Sequence, residues 1–226
     1  MKTKVLGRSS GPARNLCPKG NCRQVIVRVT TYQAQLNGKR GPTKVPRDGH
    51  IVAFGMDLGQ PSKMSRKSLA RDYGGKATAQ LAILNKQRKG RLKLLRKSND
   101  VEVERFLNEQ PRYALKQPLR VNRGDIVGLT TPTWLPTLGK KDDSIWRASQ
   151  NPDDPDQCGR TRFLKRESRP HRKLGSTRRY RCGYRNRILY WAYFVAKRDG
   201  DGGGGGGNRA TVIGEQPSLP SGGVKP

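Results

Sequence analysis

Residues 77–95 read ATAQLAILNKQRKGRLKLL, and this stretch decides the fold. Ala77, Ala79, Leu81 and Ile83 alternate with Thr78, Gln80 and Ala82, the two-residue repeat of a half-buried strand and not the 3.6-residue repeat of a helix. Lys86-Gln87-Arg88-Lys89-Gly90 then interrupts the pattern as a polar hairpin tip, and Leu92, Leu94 and Leu95 return as the partner strand.

The same grammar extends outward in both directions. Upstream, Val25, Val27 and Val29 interleave with Ile26, Arg28 and Thr30, so residues 23–36 read as a strand rich in β-branched side chains. Turn signals at 37–42 and 45–49 lead into another strand over 50–58, carrying Ile51, Ala53, Phe54 and Met56. Residues 60–75, with Pro61, Ser62, Ser65, Ser68 and a glycine pair, read as a long loop holding one helical turn. Downstream, short strands are expected over 101–107 and 113–115, followed at 118–130 by strand, Arg123-Gly124-Asp125 turn, strand. Residues 133–158 read as a long structured loop, because they contain three prolines and five aspartates. Residues 178–184 and 187–196 read as a strand pair, and the run ILYWAYFV at 188–195 suits a central strand packed on both sides.

About nine short strands with almost no helical periodicity predict an all-β fold: a single β-sandwich, jelly-roll-like, over residues 17–198. A disordered basic N-terminal arm is expected over 1–16 and a disordered Gly/Pro-rich C-terminal tail over 199–226. An α/β enzyme fold would need amphipathic helices between strands, and the sequence offers none.

Charge sets the expected partner. The 226 residues include 47 Lys+Arg against 17 Asp+Glu, a net charge of +30. Twelve cations and one acid, Glu167, lie between Arg160 and Arg187, while residues 86–97 carry seven cations and no acid. The candidate polyanion-binding residues are Lys86, Arg88, Lys89 and Arg91 at the hairpin tip, with Arg162, Lys165, Arg166, Arg169, Arg172, Lys173, Arg178 and Arg179 further on. An anionic polymer is the partner this clustering points to: a wall polymer, an acidic polysaccharide or nucleic acid. The competing reading is a solvated basic face. Tyr180, Tyr184 and Tyr190 lie beside arginines, but strand alternation turns them toward the core.

No stretch approaches the roughly 20 apolar residues that a bilayer demands, so no membrane span is expected. Cys17 and Cys22 flank a Pro-Lys-Gly-Asn turn, and Cys158 can reach Cys182 from a loop. Two disulfides would place the protein in an oxidising compartment, extracellular or at the cell surface. Free thiols in a cytoplasmic protein and a Cys-x4-Cys metal site are the alternatives, although no second close pair exists and His50 and His171 stand far apart. Residues 1–14 have no apolar core of the signal-peptide kind.

The remaining constellations are weaker. Trp134 and Trp146 are candidates for a sugar-stacking platform, against the alternative that they pin a loop. Asp142, Asp143, Asp153, Asp154 and Asp156 form no Asp-x-Asp-x-Asp-Gly calcium loop, and no metal or other cofactor is expected. The Arg-Gly-Asp tripeptide reads as a turn. No nucleophile elbow, phosphate loop or His-Glu-x2-His motif is present, and nothing fixes Asp57, Asp72, Glu102 and Glu104 at glycosidase separations. No catalytic residue and no enzyme activity are expected.

Three blocks, VPRDGHIVAF at 45–54, LRVNRGDIVGLTTPTW at 119–134 and WRAS at 146–149, resemble a group of uncharacterised exported actinobacterial proteins. The likeness covers roughly residues 17–195 and implies a β-sandwich and export. It implies no catalytic residue, since that group carries no established activity. The expectation is therefore an exported or surface β-sandwich protein, non-enzymatic, whose basic face holds an anionic polymer. An intracellular or virion-type nucleic-acid-binding protein is the first alternative, a carbohydrate-binding module the second. Oligomeric state is not legible.

Overall fold

Two-residue alternation sorts the strands into two layers, each turning its apolar side inward. The structure, a computed structural model, describes residues 3–8, 15–17, 20, 22, 24–140 and 142–197. Among these the strands are β1 (Thr3–Leu6), β2 (Ile26–Leu36), β3 (Lys39–Arg40), β4 (Gly49–Met56), β5 (Thr78–Lys86), β6 (Arg91–Lys97), β7 (Val101–Glu102), β8 (Arg112–Val121), β9 (Ile126–Leu135), β10 (Ile145–Ala148), β11 (Thr177–Arg179), β12 (Cys182–Tyr184) and β13 (Tyr190–Ala196). The helices are α1 (Lys63–Tyr73) and α2 (Thr161–Arg166).

One sheet has the order β1-β13-β4-β8, the other β11-β6-β5-β9-β2-β10-β12, with β3 added on β2 and β7 on β5. All pairings between these strands are antiparallel. β1 pairs β13, β2 pairs β9, β4 pairs β8 and β5 pairs β6, so the principal strands nest as one long hairpin rolled over on itself. This is a jelly roll, as the strand pattern predicts. Its core lies between the sheets: Ile51, Phe54, Leu81, Ile83, Leu129, Trp134, Tyr190 and Phe194 are all buried there.

The larger sheet also curls around a second, smaller core. β11 and β12 lie at opposite ends of its strand order, yet only Tyr180 and Arg181 separate them in the chain. Three peptide units span at most about 10 Å, whereas six strand spacings laid flat would cover about 29 Å. The sheet must therefore roll its edges toward each other. Ala82, Leu84, Leu92, Leu94 and Tyr180 fill the curl, with Tyr32 and Ile126 packed against them.

Several details differ from the sequence reading. Residues 60–75 hold the three-turn helix α1, not one turn; Ser62 Oγ caps it by accepting from Ser65 N at 3.1 Å. Leu69 and Tyr73, one turn apart, pack against the core, a stripe too narrow to show as periodicity. Residues 178–184 and 187–196 do not pair with each other. β11 joins β6, β12 joins β10, and β13 sits between β1 and β4 in the other sheet. Within the stretch expected as an arm, Thr3–Leu6 is an edge strand beside β13. The expected short strands near 113–115 and 118–121 are one strand, β8, bulged between Ala114 and Leu119, where Pro118 need not donate to the ladder. The expected strand over 101–107 shortens to β7 plus a 3-10 turn at Glu104–Phe106, and β10 emerges from the expected loop. The tail expected over 199–226 lies outside the described residues.

Both cysteine pairs form. Cys17–Cys22 closes a local turn with Cα atoms 4.8 Å apart, and Cys158–Cys182 ties the segment before α2 to β12 with Cα atoms 5.5 Å apart. The pairing fits an oxidising environment. No described helix is long and apolar enough to cross a membrane.

Candidate polyanion interface

The basic segment between β10 and β12 has to be held across the curled sheet before its charges can converge. The anchor is an irregularity in β2. Arg28 has a φ of 43°, and two β9 residues, Pro132 and Thr133, oppose it in the ladder, which leaves Arg28 outside the regular pairing. Its carbonyl accepts from Ser168 Oγ at 2.9 Å, and its Nη1 donates to the Lys165 carbonyl at 3.2 Å. Burial and the nearby Arg169 charge lower the Arg28 pKa, a sign that this neighbourhood is electropositive.

A buried polar network fixes the next stretch. Thr30 Oγ1 donates to the His171 carbonyl at 3.2 Å and accepts from His171 N at 3.0 Å. The His171 ring meets Tyr180 Oη at 3.2 Å through Nδ1 and Ser176 Oγ at 2.9 Å through Nε2. Burial lowers the His171 pKa to about 4, the Arg178 charge adds to the shift, and a hydrogen bond from the ring to the Ser176 backbone opposes it. His171 is thus neutral at ordinary pH. Burial likewise raises the Tyr180 hydroxyl pKa, so this network carries no charge of its own.

On this scaffold two clefts open. The first, about 510 Å³, is lined by Arg91, Arg169, Arg178 and Arg179, with Glu167 as its single acid. Ser149, Gln150 and Asn151 form its polar side. Arg178 Nη1 donates to the Arg169 carbonyl at 3.0 Å, and Arg169 Nη1 to the Ser168 carbonyl at 2.8 Å. The second, about 570 Å³, lies at the mouth of the curl. Arg40, Lys44, Lys86, Arg123 and Arg147 line it with no acid, around Tyr32, Leu92 and Ile126. Arg91 and Leu92 are neighbours, as are Arg179 and Tyr180, so the two clefts share a wall.

Of the twelve basic residues singled out from sequence, Arg91, Arg169, Arg178 and Arg179 meet in the first cleft and Lys86 in the second. Arg88 and Lys89 stand exposed at the hairpin tip. Arg162, Lys165 and Arg166 project from α2, where Lys165 Nζ meets Asp72 at 2.8 Å. Arg172 pairs with Asp100 at 2.8 Å, and Lys173 is exposed nearby. Sequence reasoning missed Arg40, Lys44, Arg123 and Arg147. A signal existed for two of them, because residues 36–47 hold Lys39, Arg40, Lys44 and Arg47 and no acid.

Burial decides the two tryptophans against sugar stacking and for the pinning alternative. Trp134 is 0% exposed, and its Nε1 donates to the Gly75 carbonyl at 2.9 Å, locking the end of α1 to β9. Trp146 is 6% exposed and stacks on Tyr184 with ring centroids 4.1 Å apart. Tryptophan faces already covered by protein cannot offer a platform. Burial pushes the Tyr184 hydroxyl up to about 12, and it donates to Gln150 Oε1 at 2.6 Å. Asp125 of the Arg-Gly-Asp turn is buried too: its carboxylate accepts from Asn85 Nδ2 at 2.8 Å and Asn122 N at 2.9 Å. The turn carries the chain from β8 in one sheet to β9 in the other.

The four acids weighed for glycosidase chemistry are each engaged separately. Asp57 accepts from Asn15 and Gln110, Glu102 pairs with Lys76 at 3.0 Å, and Glu104 pairs with Arg66 at 4.0 Å. Lys165 and then Arg71 hold Asp72 below the usual carboxylate range. Among the described residues no group of three or more metal-ligating side chains converges. Comparison of the chain with protein-family models, with curated proteins and with solved structures finds no match.

Proposed function

We propose that this is an exported or cell-surface jelly-roll protein, non-enzymatic, which holds an anionic polymer against the curled face of its larger sheet. The observation that carries this reading is the pair of adjoining clefts, whose nine cations face one acid. Electrostatic attraction by a +30 chain is unavoidable, so convergence is what matters. Export is supported by the two cysteine pairs and by the resemblance of residues 45–54, 119–134 and 146–149 to exported actinobacterial proteins.

The test compares two double charge reversals of equal size. Arg178→Glu with Arg179→Glu alters the first cleft; Lys116→Glu with Arg120→Glu alters exposed positions on β8 of the other sheet. Affinity for inorganic polyphosphate and for a sulfated glycan is measured at physiological salt. The cleft pair should lose about tenfold or more, and the β8 pair less than about threefold. Equal losses would mean that net charge alone binds the polymer.

A nucleic-acid reading has one observation in its favour, the half-buried Tyr32 among the five cations of the second cleft. It requires a preference for single-stranded over duplex DNA at physiological salt that Tyr32→Leu abolishes.

A further inference from the structure

Four arginines that share a cleft repel one another, and a fold does not keep such an arrangement without cost. The register sharpens the point. Arg179 of β11 and Arg91 of β6 are direct cross-strand partners, so like charges stand opposite one another on neighbouring strands. Among the described residues none of Arg91, Arg169, Arg178 and Arg179 has a carboxylate at salt-bridge distance. Elsewhere on the same segment Lys165 and Arg172 each have one, so acids were within reach of the chain.

A second observation concerns hydrogen bonding. Arg179 Nε is buried and has no hydrogen-bond partner. A desolvated, charged donor left unmade costs more than a neutral one, so it marks a place where an acceptor belongs. Every cation of this cleft is a guanidinium, whereas the neighbouring cleft mixes lysine with arginine. Guanidinium forks recognise oxyanions through paired parallel hydrogen bonds, a geometry that an ammonium lacks. Two of the forks are already positioned by their bonds to the Arg169 and Ser168 carbonyls.

We propose that the Arg91–Arg169–Arg178–Arg179 cleft is a discrete site for a tetrahedral oxyanion, a phosphate or sulfate group carried on a larger molecule. It rests on the polyanion reading and narrows it: the polymer bears phosphate or sulfate esters, not only carboxylates, and one such group anchors here. The cleft, at about 510 Å³, has room for the sugar or alcohol to which the group is attached.

Thermal unfolding of the full chain at constant ionic strength tests the site. Inorganic phosphate or sulfate should raise Tm by about 4 °C at roughly ten times its Kd, while chloride and acetate at equal ionic strength should not. Arg179→Gln should remove this shift, and Lys116→Gln on β8 of the other sheet should keep it. Arg178→Lys guards against a misfolded variant: it preserves the charge, loses the fork and should lose most of the shift. A sugar phosphate compared with a sugar sulfate separates the two ester sources. An equal shift from acetate, or an undiminished shift in both Arg179→Gln and Arg178→Lys, overturns the proposal.

The two failures are distinct. Loss of polymer binding in the cleft charge reversals without any phosphate shift would defeat the oxyanion site and leave the polymer reading standing. An Arg179-dependent phosphate shift in a protein whose two faces bind polymer equally would do the reverse.

Discussion

The outward sides of the two sheets carry the same kind of charge under opposite conditions. On the four-stranded sheet two guanidiniums lie on aromatic rings: Arg8 is 4.8 Å above Trp191 and Arg112 is 4.6 Å above Tyr193. Trp191 lies flat because Gly55 beneath it has no side chain; a Cβ there would stand 2.6 Å from Trp191 Cε2. Trp191 Nε1 donates to Tyr193 Oη at 3.1 Å, completing a small aromatic raft. On the larger sheet the aromatics Tyr32 and Tyr180 are turned into the curl, and among the described residues none of Arg91, Arg178 and Arg179 lies over an aromatic ring. The difference shows how placement of aromatic residues decides whether a cation is used by the fold or left for a partner.

The contrast between the two faces depends most on Tyr180, which fills the curl and bonds His171. Tyr180→Ala should cost about 4 kcal/mol in chemical denaturation, the usual penalty for removing a buried aromatic. A loss below about 1 kcal/mol would show that the second core does not hold the large sheet's shape. Next in size are the cysteine pairs. Replacing Cys158 and Cys182 by serine opens a loop of 24 residues and should cost about 3 kcal/mol, against about 2 kcal/mol for Cys17 and Cys22, which lie 5 apart. Only the first replacement should weaken polymer binding, because only that pair secures the segment bearing Arg169. If both replacements weaken binding equally, the interface extends to the local turn near Cys17.

Sheet architecture was legible because alternation in ATAQLAILNKQRKGRLKLL and the run at 188–195 survive in β5, β6 and β13. Partnership was not. Residues 178–184 look like one strand, yet Tyr180 and Arg181 bridge two edges of a curled sheet, and curling comes from long-range packing that no local window contains. The first cleft was half visible for the same reason: Arg178 and Arg179 lie in the basic run, but their meeting with Arg91 depends on β11 pairing β6. The second cleft was hidden because Arg40, Lys44, Arg123 and Arg147 come from separate turns and strands that only the roll brings together. For Trp134 and Trp146 the pinning alternative holds; the sequence left both readings open because an aromatic in an apparent loop gives no sign of its burial.

A pH dependence follows from the network beneath the clefts. His171 titrates near 4 in the folded chain and near its ordinary 6.5 when unfolded. The groups facing it are Tyr180 Oη, Ser176 and the Arg178 charge. As pH falls from 6.5 toward 4 the unfolded chain takes up a proton that the folded chain refuses, so stability is full above 6.5, declines through that window and levels off below it. The loss is on the order of 3 kcal/mol. His171→Gln should flatten the slope, and an unchanged slope in that variant would assign the pH dependence to the carboxylates instead.

The smallest effects have the sharpest sign. Arg112→Gln removes a cation from the Tyr193 ring and should destabilise by about 0.5 kcal/mol. Arg91→Gln removes an exposed arginine opposite Arg179 with no carboxylate to miss it, and relief of like-charge repulsion should raise stability by a few tenths of a kcal/mol. The same residue count and charge change thus produce opposite signs on the two sheets. Phosphate at constant ionic strength adds a further discriminator, since it should stabilise the unaltered chain and Arg112→Gln alike but Arg91→Gln less. Should both substitutions destabilise equally, the cleft arginines are engaged by the fold in the same way as those on the aromatic raft, and the contrast between the two faces disappears.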